Sequence, residues 1–322
     1  MRTLIVTEEK ANKRIDRILK ETFSNMPQSA MYKAFRKKDI KVNGTRVKED
    51  YVVKLNDKVD IYIVDEILDG ASKAGSYTAD KAFSVVYEDK NILIANKKQG
   101  IPVHPDKDQT ENTLIDLVRD YIKNKGEYRK NSTFAPSLCH RLDRNTGGLI
   151  MIAKNEESLG IILRKIKTGE IKKYYQCMVK GRMNQKEGLL KAFLEKDENK
   201  SRVFIKDTRT KKSVEILTKY KVLSYEEIEG SDEGISVLEV ELLTGRTHQI
   251  RAHFAYIGHP IAGDGKYGSN SFNRLLGIKY QALWAYKLKF DFDRDSGILN
   301  YLKGKEFKVQ PEFETRKPNK HI

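Results

Sequence analysis

Cysteine and long apolar runs are both scarce in this sequence, and each shortage excludes a class of protein. Only Cys139 and Cys177 occur among 322 residues, too few for a disulfide framework, so we expect a reduced, cytoplasmic chain. No stretch approaches the ~18 apolar residues that a membrane-spanning helix needs, and we expect no membrane partner. The first residues soon reach Glu8, Glu9 and Lys10, so we expect no signal peptide.

Acidic residues are also in the minority. The chain carries 61 Lys and Arg against 45 Asp and Glu, a formal net charge of +16 with a pI near 9.5. This excess favours a polyanionic partner, and nucleic acid suits it better than a membrane surface; a lysine-rich solvated surface is the alternative. With 39% hydrophobic and 33% charged residues, the chain can form one large globular domain and one small one.

Residues 1–65 show the pattern of one small unit. Apolar residues fall at helical spacing in residues 12–21 and 29–38, an Asn-Gly pair at 43–44 predicts a hairpin, and a strand follows at 58–63. A cluster of basic residues marks the second helix and the hairpin: Arg36, Lys37, Lys38 and Lys41. Such a cluster is typical either of an RNA-binding face or of a solvated helix.

Beyond this unit the composition changes twice. Residues 66–82 are small and polar and predict a flexible linker, and the polar residues 304–322 predict a frayed tail. Between them, residues 83–303 mix strands, such as 149–153, with helices, such as 112–123, without the regular alternation of a doubly wound fold. The sequence therefore predicts an α+β domain over 83–303.

One acid lies in a segment rich in turn-forming residues, HRLDRNTGGL at 140–149. Asp143 stands between Arg141 and Arg144, shortly before an apolar run that predicts a buried strand. The flanking arginines leave the carboxylate facing an anionic ligand, which suits an acid that works on a phosphate-bearing substrate. The alternative is a structural Asp–Arg pair in a tight turn.

Four segments together resemble the motifs of the RluA-type RNA pseudouridine synthases, which modify ribosomal and transfer RNA. They stand in the family's order: NKKQGIPVHP at 96–105, HRLDRNTGGL at 140–149, KYYQCMVKG at 173–181 and LTGRTHQIRAHF at 243–254. The resemblance covers residues 83–300. It implies a pseudouridine synthase domain with a mixed, largely antiparallel sheet, and a reaction that needs no cofactor and no metal.

The resemblance also implies roles for three residues. Asp143 would be the essential carboxylate, which either attacks the sugar or base covalently or removes a ribose proton. Arg251 would orient it through charge-assisted hydrogen bonds from the border of a buried helical face. Tyr175 would stack on the target base from a strand, although a shift of one residue would put Tyr174 there instead.

Further residues are candidates for binding RNA or substrate. Under the resemblance, Arg141 fills the gap left by the flipped nucleotide, and Leu288, in the motif-like segment QALWAYKLKF at 281–290, lines the uracil pocket. The place of Arg246 in the turn at 244–246 suits a phosphate contact. Arg144 and His248 complete the set predicted to bind RNA in this domain. The sequence departs from the family's usual residues at four positions: Lys98 replaces proline, Gly147 serine, Cys177 alanine and Trp284 histidine. These departures concern substrate fit more than activity.

Residues 1–65 resemble the S-four-type (alpha-L) RNA-binding domain, in which two helices and a hairpin present a basic face to structured RNA. The combination favours an enzyme acting on large-subunit ribosomal RNA, with transfer RNA as the alternative target, and nothing in the sequence requires more than a monomer. Two rival functions are a non-catalytic RNA-binding ribosome-assembly factor of the same fold and a metal-dependent phosphodiesterase. The spacing of five between His248 and His253 does not place them together on a helix, which disfavours a metal site.

Overall fold

The computed structural model describes most of the chain: residues 2–23, 26, 28–63, 79–105, 111–126, 134–197, 202–228 and 233–313. These residues divide into two compact units, the first containing those up to 63 together with 111–112, and the second containing the rest. No helix within these ranges is long and apolar enough to cross a membrane. The expected linker lies outside the described residues except for 79–82.

The first unit combines a four-stranded antiparallel sheet with two helices. Its strands are β1 (Arg2–Ile5), β2 (Ile40–Val42), β3 (Thr45–Arg46) and β4 (Lys58–Ile61), and its helices are α1 (Ile15–Thr22) and α2 (Gln28–Lys37), with a 3₁₀ helix at Glu8–Lys10. The strands lie in the order β1-β4-β2-β3. Ile18, Phe35 and Ile61 belong to one buried core that joins both helices to the sheet.

The hairpin and the first strand differ in how readily the sequence reveals them. Asn43 and Gly44 have φ values of 50° and 78°, which are the left-handed positions that an Asn-Gly turn supplies. The Asn43 side chain also accepts a hydrogen bond from the Lys58 backbone N–H, so the turn is fastened to β4. Strand β1 was not predicted, because four residues are too few to show a periodic pattern.

The second unit is built on one 11-stranded sheet. Its strands are β5 (Phe83–Glu88), β6 (Ile92–Lys97), β7 (Ser137–Leu138), β8 (Gly147–Ala153), β9 (Ile171–Lys180), β10 (Glu187–Asp197), β11 (Arg202–Lys206), β12 (Val214–Glu226), β13 (Ile235–Leu242), β14 (Leu283–Phe290) and β15 (Glu306–Lys308). The order is β11-β10-β12-β13-β9-β14-β8-β6-β5, with β7 paired to β8 and β15 to β14. Among the described pairs, only β8 with β14 is parallel, which confirms the expected mixed, largely antiparallel sheet.

Short helices connect these strands. They are α3 (Ala79–Ala82), α4 (Leu114–Asn124), α5 (Glu156–Lys167), α6 (Gln249–Tyr256) and α7 (Asn270–Leu276), with a 3₁₀ helix at Gly297–Leu302. Helix α4 begins after Thr113, which forms a capping box with Asp116, and this fixes the start of the predicted 112–123 helix. Helix α3 occupies residues 79–82, so those residues are helical rather than linker, and the second unit begins before Phe83.

Residues 304–313 do not form the frayed tail that their polarity suggested. Strand β15 lies within them and pairs with β14, and Phe307 packs against the buried cluster that contains Phe290. Phe313 contacts Trp284 edge-on, with ring centroids 6.2 Å apart. These two apolar anchors hold a segment whose other residues are mostly polar. Residues 314–322 lie outside the described residues.

Candidate functional site

The segment that carries Asp143 connects β7 to β8 and is held by buried side chains from the end of β6. Lys97 is fully buried, and its ammonium donates hydrogen bonds to three backbone carbonyl oxygens, including that of Arg144 at 2.9 Å. The Gln99 amide donates to the carbonyl oxygen of Asn145 at 2.9 Å. Both residues therefore fix the backbone directly after Asp143.

Two glycines allow β8 and β14 to approach closely beneath this segment. A Cβ on Gly147 would lie 2.3 Å from the Trp284 ring, and a Cβ on Gly148 would lie 2.2 Å from the carbonyl oxygen of Ala285. Gly148 also has a φ of 111°, which side-chain-bearing residues rarely adopt. The parallel contact that positions the Asp143 segment therefore requires glycine at position 148, and the Trp284 ring leaves no room for a side chain at position 147.

Arg251 lies between two carboxylates. On α6, its Nη1 donates to Asp143 Oδ2 at 2.7 Å, while Nε and Nη2 donate to the two oxygens of Asp264 at 2.7 and 2.9 Å. Burial by itself would lower the pKa of Arg251, but the hydrogen bonds and charges of Asp264 and Asp143 raise it. Arg251 was expected at the border of the buried face; it is itself buried, and the fully buried Asp264 makes that burial possible.

Tyr175 lines the same cavity as Asp143 from strand β9. It alternates with Cys177 and Val179 as buried residues, whereas Tyr174 lies on the other face with the Lys287 ammonium 4.1 Å from its ring centroid. Burial, followed by the charge of Asp143, raises the pKa of the Tyr175 hydroxyl. The register therefore turns Tyr175, rather than Tyr174, towards Asp143.

His248 precedes α6 in a left-handed conformation with φ 53°. Its Nε2 lies 3.8 Å from Asp143 Oδ2, and its Nδ1 is 3.0 Å from the Tyr267 hydroxyl. Burial lowers the pKa of His248 to about 4, against the opposing effect of Asp143. The imidazole is therefore neutral at pH 7, and it contacts Asp143 as a dipole rather than as a cation.

These side chains surround a cavity of about 530 Å³, which we call the cleft; its lining includes Asp143, Tyr175, His248, Arg251 and Leu283. Basic residues also line it: Arg141, Lys167, Lys172, Lys173 and Arg246. Arg141 and Arg246 are exposed, whereas Arg144 is half-buried and does not line the cleft. The cleft therefore combines one carboxylate–arginine pair with a basic wall.

Leu288 does not line the cleft, which corrects the prediction that it forms the uracil pocket. It is 1% exposed and belongs to the buried cluster with Ile171 and Phe290. In the antiparallel register Leu288 lies opposite Lys173 on β9. The longer Lys173 side chain lines the cleft, whereas Leu288 does not. Leu283, five residues earlier on β14, is the strand's leucine that reaches the cavity.

The predicted basic cluster lies within the first unit. Arg36 and Lys37 end α2, Lys38 follows with φ 64°, and all three are exposed. Lys41 on β2 is half-buried, with its ammonium 4.9 Å from the Tyr62 ring centroid. The cluster thus presents three solvent-accessible cations along one helix end.

Two histidines outside the cleft, His253 and His259, have structural partners. His253 is buried, with Nδ1 3.0 Å from the Thr218 hydroxyl, and His259 Nδ1 is 2.9 Å from the Lys180 carbonyl oxygen. Within the part of the chain that the structure describes, no three His, Cys, Asp or Glu side chains form a group that could hold a metal ion.

Sequence reasoning missed three residues of this region. Lys97 stands in the NKKQGIPVHP segment and Asp264 lies ten residues after the LTGRTHQIRAHF segment, but nothing in their spacing showed that they reach the Asp143 segment and Arg251. Lys173 opens the KYYQCMVKG segment two residues before Tyr175, and alternation along a strand could have placed both on one face. That signal was present in the sequence.

The chain is similar to known pseudouridine synthases. The family model described as RNA pseudouridylate synthase matches residues 91–256. Ribosomal large subunit pseudouridine synthase C of Vibrio parahaemolyticus is 30% identical over 88% of this chain and 87% of its own length. An uncharacterised RNA pseudouridine synthase, YlyB of Bacillus subtilis, is 29% identical over 92% of both chains.

Solved structures show the same fold. Human RNA pseudouridylate synthase domain containing 4 superposes with a TM-score of 0.55 at 20% identity, covering 73% of this chain and 95% of that one. Human RNA pseudouridylate synthase domain containing 1 gives a TM-score of 0.53 at 23% identity, covering 71% and 90%.

Proposed function

The chain belongs to the RNA pseudouridylate synthase family, and we propose that it converts uridine to pseudouridine in large-subunit ribosomal RNA with Asp143 as the reacting carboxylate. The observation that carries this proposal is the Asp143–Arg251 pair, 2.7 Å apart, in one cleft with Tyr175. A pure RNA-binding protein has no need for an acid among the cations that meet phosphates. The ribosomal target rests on relatives named as ribosomal large subunit synthases; transfer RNA is the alternative.

The reaction breaks the bond between ribose C1′ and uracil N1, turns the base and joins C5 to C1′. C5 loses a proton and N1 gains one, so the atoms balance without an oxidant or a second substrate. Arg251 occupies Asp143 Oδ2, whereas Oδ1 has no hydrogen-bond partner among the described residues. Oδ1 is therefore the atom we assign to the substrate, either as nucleophile or as the base that removes a ribose proton.

Tyr175 and Arg141 would handle the base. The raised pKa keeps the Tyr175 hydroxyl protonated at neutral pH, so it can donate a hydrogen bond to uracil while its ring packs on the base. Arg141, exposed at the cleft and two residues before Asp143, would occupy the gap in the RNA stack when the uridine turns out.

Residues 1–65 would dock the enzyme on folded RNA, as an S-four-type module does. The exposed cations Arg36, Lys37 and Lys38 at the end of α2 support this role. Contacts of this kind go mainly to phosphates, so binding should weaken steeply as salt is raised.

The test is pseudouridine mapping by carbodiimide adducts and primer-extension stops on ribosomal and transfer RNA incubated with wild type or Asp143→Asn. A stop that depends on wild type would identify the uridine and the RNA class together. Tight RNA binding without any stop would instead favour an RNA-binding assembly factor that kept the fold, and turnover by Asp143→Asn would refute the role of Asp143.

A further inference from the structure

Lys173 shares a strand face with Tyr175 and lines the same cleft. Side chains two residues apart on a strand project from one face, separated by about 7 Å along it. The burial pattern of β9 agrees, because Ile171, Tyr175, Cys177 and Val179 are the buried members of that face. Lys173 therefore extends towards the cavity next to the aromatic ring assigned to the base.

The Lys173 ammonium has no hydrogen bond or ion pair with any residue that the structure describes. Other lysines with little exposure in this unit have partners: Lys97 donates to three carbonyl oxygens, and Lys165 donates to Glu170 at 2.5 Å. Burial lowers the pKa of Lys173, and the apolar Leu288 lies opposite it in register. A cation held in this way costs stability in the free protein, and a bound anion would offset that cost.

Nearby carboxylates do not supply the anion. The acids among the described lining residues are Asp143, whose Oδ2 accepts a hydrogen bond from Arg251, and Glu241. Glu241 pairs in register with Tyr174, on the strand face opposite to Lys173. The charge of Glu241 acts on Tyr174 and Lys172 instead.

The position of the ammonium points to the ligand. A Cβ built on Gly245 would lie 3.6 Å from Lys173 Nζ, so the ammonium lies against the turn that carries the exposed Arg246. We propose that Lys173 and the Gly245–Arg246 turn form a subsite for one backbone phosphate of the RNA, the phosphodiester on one side of the uridine bound at Asp143. This subsite rests on the proposed function, because it assumes that RNA enters the cleft.

Lys173→Met tests the subsite, with Lys191→Met as the control of equal charge. Lys191 is an exposed lysine on β10 that pairs with Glu215 at 3.1 Å. In the Asp143→Asn background, which we expect to hold RNA without turnover, Kd is measured for a stem-loop that contains the mapped uridine. Lys173→Met should weaken binding about tenfold or more, as expected for a lost charge-assisted contact, and should lower the slope of log Kd against log salt by about 0.7–0.9. Lys191→Met should do neither.

A second arm locates the phosphate. Neutral methylphosphonate replaces, one at a time, the linkages 5′ and 3′ to the uridine. One of the two replacements should weaken RNA binding by the protein that retains Lys173, by the same factor as the Lys173→Met substitution does. The same replacement should not further weaken RNA binding by the Lys173→Met protein. The subsite would be overturned if, at both linkages, the loss of affinity from methylphosphonate added to the loss from Lys173→Met. It would also be overturned if Lys173→Met and Lys191→Met bound the RNA with equal affinity.

Thermal unfolding separates this role from a structural one. Removing an unpaired, partly buried cation should leave Tm unchanged or higher, whereas a structural lysine would lower Tm on replacement. If wild type modifies no uridine, the proposed function fails by itself. The salt slopes of the two methionine variants on unmodified large-subunit ribosomal RNA then decide whether Lys173 binds phosphate.

Discussion

Asp264→Asn should show how far the Asp143–Arg251 pair depends on a second, buried carboxylate. Asp264 is 0% exposed; Oδ2 accepts from Arg251 Nε, and Oδ1 accepts from Arg251 Nη2 and from the backbone N–H groups of Lys266 and Tyr267. An asparagine must turn its NH₂ group towards at least one of these donors. The less costly orientation directs it at Arg251 Nε, because Oδ1 receives three donors.

The loss in free energy of unfolding can be estimated from these contacts. One charge-assisted hydrogen bond is worth about 1.5–3 kcal/mol, and leaving a buried arginine with one charged partner fewer brings the expected total to about 3–5 kcal/mol. With a urea slope of about 2.5 kcal/mol per M, the unfolding midpoint should fall by about 1–2 M. Turnover should fall about tenfold to a hundredfold, because Arg251 would no longer hold Asp143 in one position.

Trp284 provides the assay. It is the only tryptophan in the sequence, it is 1% exposed, and it lies on β14 of the second unit, so its fluorescence follows unfolding of that unit. Asp291→Asn is the matched control: its carboxylate is 41% exposed and pairs with Lys172, and its loss should leave the unfolding midpoint nearly unchanged because solvent screens an exposed ion pair. If Asp264→Asn had the same unfolding midpoint as the control and kept wild-type turnover, Asp264 would not be what holds Arg251 in place for Asp143.

Gly147→Ser should destabilise the second unit by about 1–3 kcal/mol because a Cβ there meets the Trp284 ring at 2.3 Å. Adding Trp284→His should recover part of that loss in urea unfolding followed by circular dichroism, and no recovery would contradict the contact. Lys165 and then Thr168 lower the pKa of Glu170 to about 2 from 4.5, so its contribution to stability is complete above 4.5 and is lost as the pH falls towards 2. Wild type should therefore lose more stability than Glu170→Gln between about pH 5 and pH 3, and parallel losses would count against it. Deleting residues 1–65 should raise the Kd for structured RNA at fixed salt, whereas an unchanged Kd would refute the docking role.

Patterns within one element were visible in the sequence. The alternation around Tyr175 and the Asn43-Gly44 hairpin both depend on neighbours a few residues away. The structure shows both features at the residues predicted from the sequence. The sheet type came from the family resemblance and is confirmed. These features need no knowledge of which distant strands meet.

Other features depend on long-range pairing and could not be read in this way. Asp264 reaches Arg251 only because the chain returns after α6, and β15 is visible only once β14 is in place. Leu288 was assigned to the cleft from its motif alone, whereas the β9–β14 register gives that position to Lys173. The burial of Arg251 likewise required a partner that the sequence did not identify.

The contact between Gly147 and Trp284 also bears on how this sequence could have diverged. The family resemblance leads us to expect serine and histidine at these two positions, and here the indole fills the space that a Cβ at 147 would need. If the starting pair is serine and histidine, replacing serine with glycine first leaves only a small void, which costs little stability. Replacing histidine with tryptophan first makes the indole collide with the serine side chain. From that starting pair the less costly order is glycine before tryptophan, and with tryptophan in place a side chain at position 147 is strongly disfavoured.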